Sequence, residues 1–204
     1  SSAASDVYKR QGDMLMIVKN NYFWTEKEKK ESGEGSAGAV PAFLANGDRA
    51  KVLRVSNYIE LYGFRFATLL LQLPDYDDYE MQVTGMLDTL QSEAPALTHE
   101  QQEELFRQVE EDYQHFVPLK ADRMKSIRQD AYFNALQIKY AYAVTCHKAQ
   151  GGQWAHVYVD QGYMTDDMLT PDYIHWLYTA FTRATDKLFL VNWPKEQTCE
   201  PTDL

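Results

Sequence analysis

Residues 140–191 constrain the fold of this chain more than any other stretch. They open with an apolar run, Tyr140-Ala141-Tyr142-Ala143-Val144, which breaks into Thr145-Cys146-His147-Lys148-Ala149-Gln150-Gly151-Gly152-Gln153-Trp154. A second strand-like run, His156-Val157-Tyr158-Val159, follows, then a helix-length segment carrying Trp176-Leu177-Tyr178-Thr179-Ala180-Phe181-Thr182-Arg183-Ala184, and a last run, Leu188-Phe189-Leu190-Val191. Short apolar runs alternating with one helical segment predict an α/β fold with a parallel β-α-β unit buried on both faces. Polar residues after the first strand then lie where open α/β sheets bind ligands. Thr170-Pro171 signals the helix start, threonine as cap and proline in the first turn, and the helix is expected to run to about Ala184.

The rest of the chain reads differently. Residues 1–11 are small, polar and unpatterned, resemble a non-native leader, and are left out of the fold reading. Asp13 to Val18 reads as a strand, and 25–38, charged and rich in Gly and Ser, as an exposed mobile loop. After the turn signal Asn46-Gly47-Asp48, short runs at 50–55, 58–63, 65–73 and 80–83 predict a small antiparallel barrel. Thr98-His99-Glu100-Gln101 fits a capping box, behind which Leu105, Val109, Tyr113 and Phe116 share one helical face. Pro118 breaks that pattern, and a second helix is expected over 121–135.

The net charge of −10 argues against nucleic acid until it is localised. Residues 75–113 hold twelve Asp and Glu against Arg107 alone, a net of −11, so the remaining residues sum to +1. The acidity belongs to one segment, read as a solvated helix face, with a protein-docking surface as the other reading. With no broad basic patch, DNA binding is expected to be partial and salt-sensitive. A hydrophobic content of 45% describes a globular chain, and no apolar run reaches the ~20 residues that span a bilayer. Cys146 and Cys199 are far apart, which fits a reducing, cytoplasmic location, and no zinc-type ligand spacing occurs.

Thr-x-His-Lys-x-Gln-Gly-x-x-Trp at 145–154, followed by Tyr-Thr-Ala-x-Thr-Arg-Ala at 178–184, resembles the last two motifs of superfamily 1 DNA helicases. The nearest likeness is the RecD/Dda branch with its UvrD-type C-terminal domain. Gly12-Asp13, Asn20-Asn21-Tyr22 and Asn46-Gly47-Asp48 resemble the start of the small Src-homology-type barrel that this branch carries. The resemblance implies a barrel over 12–92 with a mobile loop at 25–39, an acidic helical insertion over 93–136, and half of a RecA-like domain over 137–198. No G-x-x-x-x-G-K-[ST] loop and no magnesium-binding Asp-Glu strand end is present. In the family these belong to an upstream RecA-like domain, which would bind ATP and Mg²⁺. The chain is therefore expected to be the C-terminal part of a helicase, inactive as an ATPase alone. The alternative is a non-catalytic binding module with relic motor motifs.

Thr145, His147 and Lys148 follow a strand, so their side chains and backbone N–H groups suit phosphate oxygens. Local capping of the strand end is the other reading. By resemblance, this motif touches the backbone of single-stranded DNA. Gly151 and Gly152 permit a tight turn or close ligand approach. By resemblance Gln150, Gly151 and Gln153 face ATP in an interdomain cleft. Gln153 stands where many relatives carry Glu, and its amide brings no charge. Arg183 falls on the family's arginine finger, a cation that stabilises γ-phosphate charge in the transition state. The alternative is a cation near a helix C-terminus. Tyr178 and Thr182 are expected to pack and orient that helix, and Trp154, Trp176 and Trp193 to belong to the core. Cys146-His147 lacks a third orienting group and does not read as a nucleophile. The implied partners are single-stranded DNA, ATP and the upstream RecA-like domain.

Overall fold

Period-two alternation of apolar side chains closes five strands into a barrel in the computed structural model, which describes residues 12–32, 40–194 and 197. The strands are β1 (Met14–Ile17), β2 (Arg49–Leu61), β3 (Phe64–Leu73), β4 (Tyr79–Met86) and β5 (Leu136–Tyr140). Neighbours are antiparallel, apart from the parallel pairing of β4 with β5 through Gly85↔Leu136 and Met86↔Gln137. Leu15, Ile17, Val52, Leu69, Leu71, Leu73, Val83 and Ile138 fill the interior. The turn signalled by Asn46-Gly47-Asp48 forms as expected. The Asp48 carboxylate accepts from the Ala45 N–H at 2.7 Å and the Tyr76 hydroxyl at 2.7 Å.

Two runs expected as separate strands, 50–55 and 58–63, are one 13-residue strand, β2. Register shifts at Val52/Arg54 and Ser56/Ile59, with Asn57 at φ 48°, interrupt its alternation. The first shift moves the inward set from Ala50 and Val52 to Val55, so the bulge keeps the apolar side chains inside. The loop expected from residue 25 is a helix, α1 (Phe23–Ser32), up to its last residue; residues 33–39, like the leader at 1–11, lie outside the described residues. Composition misled here because the anchors of α1 are tertiary. Asn21 Oδ1 accepts the Trp24 N–H at 3.2 Å, and the buried Trp24 indole donates to the Asn134 carbonyl at 2.9 Å. The Lys and Glu residues behind it are good helix formers.

The acidic insertion forms α2 (His99–Gln114) and α3 (Lys120–Arg128). Its capping box is complete: Thr98 Oγ1 accepts the Gln101 N–H at 3.3 Å, and Gln101 Oε1 accepts the Thr98 N–H at 3.0 Å. Leu105, Val109 and Ile127 bury against Phe64, Phe66 and Met86 of the barrel wall. Phe116, expected on the same face, lies beyond the end of α2 and is 79% exposed. Glu110 departs from the solvated-face reading, since its Oε1 lies 3.7 Å from Nε of the largely buried Arg123. Tyr62 and Tyr113 tie the insertion down through Asp112 and Asp130 at 2.8 and 3.0 Å.

The chain divides into two compact units, the first ending at Tyr142 and the second beginning at Ala143. The apolar run at 140–144 therefore does not open the β-α-β unit. Leu136 and Ile138 turn inward, Tyr140 pairs with Leu15, and the barrel takes this strand as its closing stave; Ala143 and Val144 are exposed. In the second unit, β6 (Trp154–Asp160), α4 (Pro171–Phe181) and β7 (Ala184–Val191) form the parallel β-α-β arrangement. Thr170 adopts the extended backbone of a cap, and Pro171 opens the helix, but the Thr170 side chain makes no capping bond. The expected burial on both faces is not reached. Leu188, Phe189 and Leu190 are 36%, 37% and 40% exposed, because one helix and two strands cannot cover each other. No helix among the described residues is long and apolar enough to cross a membrane.

Candidate functional site

Parallel pairing of β6 with β7 brings the two polar motifs together. Trp154 is the register partner of Ala184, and its N–H donates to the Arg183 carbonyl at 2.8 Å. The residues just before β6, Gly152 and Gln153, thereby meet the residue just before β7, Arg183. They gather at the N-terminal edge of this two-stranded sheet, not at the C-terminal end of a strand, because the strand expected at 140–144 does not form: Tyr140 ends β5 of the barrel, and 141–144 lie in no strand.

Arg183 is half-buried and held at three points. Nε donates to the Thr179 carbonyl at 2.9 Å, Nη1 to the Gly152 carbonyl at 3.0 Å, and Nη2 to Thr182 Oγ1 at 3.0 Å. All three acceptors are neutral, and among the described residues no carboxylate forms an ion pair with Arg183. A guanidinium has five N–H donors, so two remain for an anionic oxygen, with the charge intact. Thr182 was expected to pack and orient the helix; its hydroxyl donates to the Tyr178 carbonyl at 2.7 Å within that helix and accepts from Arg183. Tyr178 itself is 71% exposed and is not packed within this unit. Gly152 was singled out from sequence only for its backbone freedom, and Thr179 not at all; the i, i+4 spacing of Thr179 and Arg183 is the signal that could have found the latter contact.

The adjacent glycines serve different ends. Gly151 has φ +83°, the left-handed region, and a Cβ there would meet nothing. A Cβ on Gly152 would lie 2.4 Å from Cη2 of Trp154, so the indole covers this residue. Gln153 is exposed, and its Nε2 approaches the Thr182 carbonyl at 3.5 Å. Gln150 is exposed on the same turn.

Thr145, His147 and Lys148 lie on the turn leading into the glycines. Thr145 Oγ1 accepts the Lys148 N–H at 3.4 Å, and the Ala149 N–H donates to the Thr145 carbonyl at 3.1 Å. Local capping by Thr145 is thus realised, while Thr145 and His147 remain exposed. Between them Cys146 points the other way, its Sγ donating to the Trp176 carbonyl at 3.5 Å. Burial pushes its thiol up, opposed by the Arg183 guanidinium, which leaves it a poor nucleophile. The three tryptophans expected in the core are half-buried: Trp154 over Gly152, Trp176 stacked on Tyr173, Trp193 tilted against Phe181. Among the described residues no three His, Cys, Asp or Glu side chains come together as a metal site requires.

Such a site presents a fixed cation, exposed polar side chains and an open glycine turn along one edge, a donor set suited to phosphate groups. Residues 140–191 match the family model of the UvrD-like helicase C-terminal domain. No curated protein matches the chain.

Proposed function

We propose that this chain, whose residues 140–191 match the model of the UvrD-like helicase C-terminal domain, supplies part of the second motor domain of an ATP-dependent superfamily 1 DNA helicase of the RecD/Dda type. ATP and Mg²⁺ bind chiefly to an upstream RecA-like domain, with Gln150, Gly151 and Gln153 facing the nucleotide from this side. Arg183 reaches the γ-phosphate as the finger, and Thr145, His147 and Lys148 hold the backbone of single-stranded DNA. Nucleotide-favoured closure of the two motor domains then moves the strand and drives unwinding. Further strands and helices of the RecA-like domain cover the apolar Leu188, Phe189 and Leu190 left open on β7.

The observation that carries this reading is the fixing of Arg183 by Gly152, Thr179 and Thr182. A guanidinium held by neutral oxygens keeps its charge for an anion; the Thr179 carbonyl and Thr182 Oγ1 belong to the end of α4, and the Gly152 carbonyl is the contact that ties the guanidinium to the glycine turn. The test is Arg183→Ala in the full-length helicase. DNA-stimulated ATP hydrolysis is expected to fall roughly 10³–10⁵-fold. Unchanged hydrolysis would remove the finger assignment.

A further inference from the structure

The loop that joins α2 to α3 turns its apolar side chains outward although its backbone is fastened down. Within His115-Phe116-Val117-Pro118-Leu119, Phe116 is 79% and Leu119 68% exposed. Covalent geometry keeps their Cα atoms within ~11 Å of each other. The Phe116 and Val117 N–H groups donate to the Tyr113 carbonyl at 3.1 and 2.8 Å. From the other side the buried Arg123 donates through Nη1 to the Val117 and Pro118 carbonyls at 3.2 and 3.4 Å, and its N–H to the Leu119 carbonyl at 3.0 Å. Apolar side chains on a fixed backbone lose little freedom when a surface lands on them.

Charge indicates what that surface is. α2 carries six Asp and Glu residues against Arg107, a net of −5. Glu111 and Asp112 stand in its last turn, where the helix dipole is already negative, and no basic residue shares that turn. Asp122 adds a carboxylate in the first turn of α3. Glu111 and Asp122 are exposed, and among the described residues neither forms an ion pair. Carboxylates at the negative end of a helix destabilise it, and a cation brought beside them relieves the repulsion. We propose that the α2–α3 loop docks a basic amphipathic segment of a protein partner. An apolar side chain of the segment sits on Phe116 and Leu119, and its lysines or arginines face Glu111 and Asp122. Nucleic acid would meet like charge along α2. A second copy seated face to face would bring two acidic helices together. The inference stands apart from the helicase reading, since it lies wholly in the first unit and uses neither ATP nor DNA.

The test titrates the chain, at low salt, into a fluorescein-labelled peptide of leucine and lysine at helical spacing, read by fluorescence anisotropy. One control peptide carries serine for leucine, another glutamate for lysine. The leucine-lysine peptide should bind, and each control should bind at least ~10-fold more weakly. Phe116→Ser should weaken binding roughly 5- to 30-fold, the range of an interface anchor. Glu111→Gln combined with Asp122→Asn should weaken it roughly 2- to 20-fold, an effect lost near ~1 M salt, where the screening length is ~3 Å. Replacing so exposed a residue as Phe116 should leave the urea midpoint unchanged; if it does not, Leu119→Gln takes its place and is read the same way. Equal binding of the serine peptide would reduce the surface to charge alone, and equal binding of the glutamate peptide to unspecific adhesion. Either overturns the proposal, as does an absence of binding, or binding that either set of substitutions leaves unchanged. A dimer by light scattering that Phe116→Ser turns into a monomer would make the occupant a second copy. Weakened binding of a single-stranded oligonucleotide by that variant would make it nucleic acid, and both results overturn the proposal.

Discussion

Replacing Gly152 with alanine tests the geometry of the candidate site at its tightest contact. The added Cβ would stand 2.4 Å from Cη2 of Trp154 and 3.0 Å from Cζ2 and Cζ3. Gly152 lies outside the left-handed region, so the cost is steric and not conformational. Overpacking of this kind costs ~1–3 kcal/mol, and a half-buried indole that swings aside places the result towards the lower end. The same movement disturbs the Gly152 carbonyl, which accepts from Arg183 Nη1 at 3.0 Å, and the Trp154 N–H, which donates to the Arg183 carbonyl at 2.8 Å. Hydrogen exchange at the Trp154 amide reads that opening locally. Gly152→Ala should raise its exchange rate roughly 5- to 150-fold, the equivalent of ~1–3 kcal/mol. In a Trp154→Leu background the clashing ring atoms are gone, and the same substitution should change the rate less than about threefold, near the limit of additivity for residues not in contact. Equal effects in both backgrounds would refute the claim that the indole is what excludes a side chain at 152.

Three further outcomes are expected. Thr98→Ala removes the capping box of α2 and should cost ~0.5–2 kcal/mol in urea unfolding, whereas an unchanged midpoint would show that the cap is redundant. The Tyr76 and Tyr113 phenols are pushed up to about 12, first by burial and then by hydrogen bonds to Asp48 and Asp130. Since their folded values exceed the unfolded one, the stabilisation they give is complete below pH ~10 and lost as pH rises through 12. Phenolate absorbance should therefore show Tyr76 and Tyr113 among the late-titrating tyrosines, with Tyr62, whose phenol burial also pushes up. Asp48→Asn and Asp130→Asn should each bring one of the two part of the way down, and no change in either variant would contradict the hydrogen bonds. In a Cys199→Ser chain, Cys146 should alkylate more slowly than an open peptide thiol near pH ~8.5. Arg183→Ala should slow it further, since the guanidinium pulls the thiol down; acceleration would contradict the proximity of the two groups.

The sequence by itself determined the features that arise from near neighbours or from strict periodicity. The Asn46-Gly47-Asp48 turn, the Thr98 capping box, the inward leucines of β3 and the α4 start at Pro171 are each written within a few residues. The helicase motifs were legible for the same reason, since they are contiguous strings. Tertiary structure alone decided where contiguous strings belong. Residues 136–140 alternate equally well for a parallel sheet or a barrel, and only pairing with β1 and β4 assigns them to the barrel. The helix at 23–32 depends on Trp24 reaching Asn134, more than a hundred residues away, a contact that no local composition encodes. The setting of Arg183 was equally hidden, because a guanidinium finds its acceptors through strand pairing that joins residue 152 to residue 183. Local propensity is a sum over neighbours, while register and closure depend on which distant surfaces fit, and that difference divides what could be read from what had to be seen.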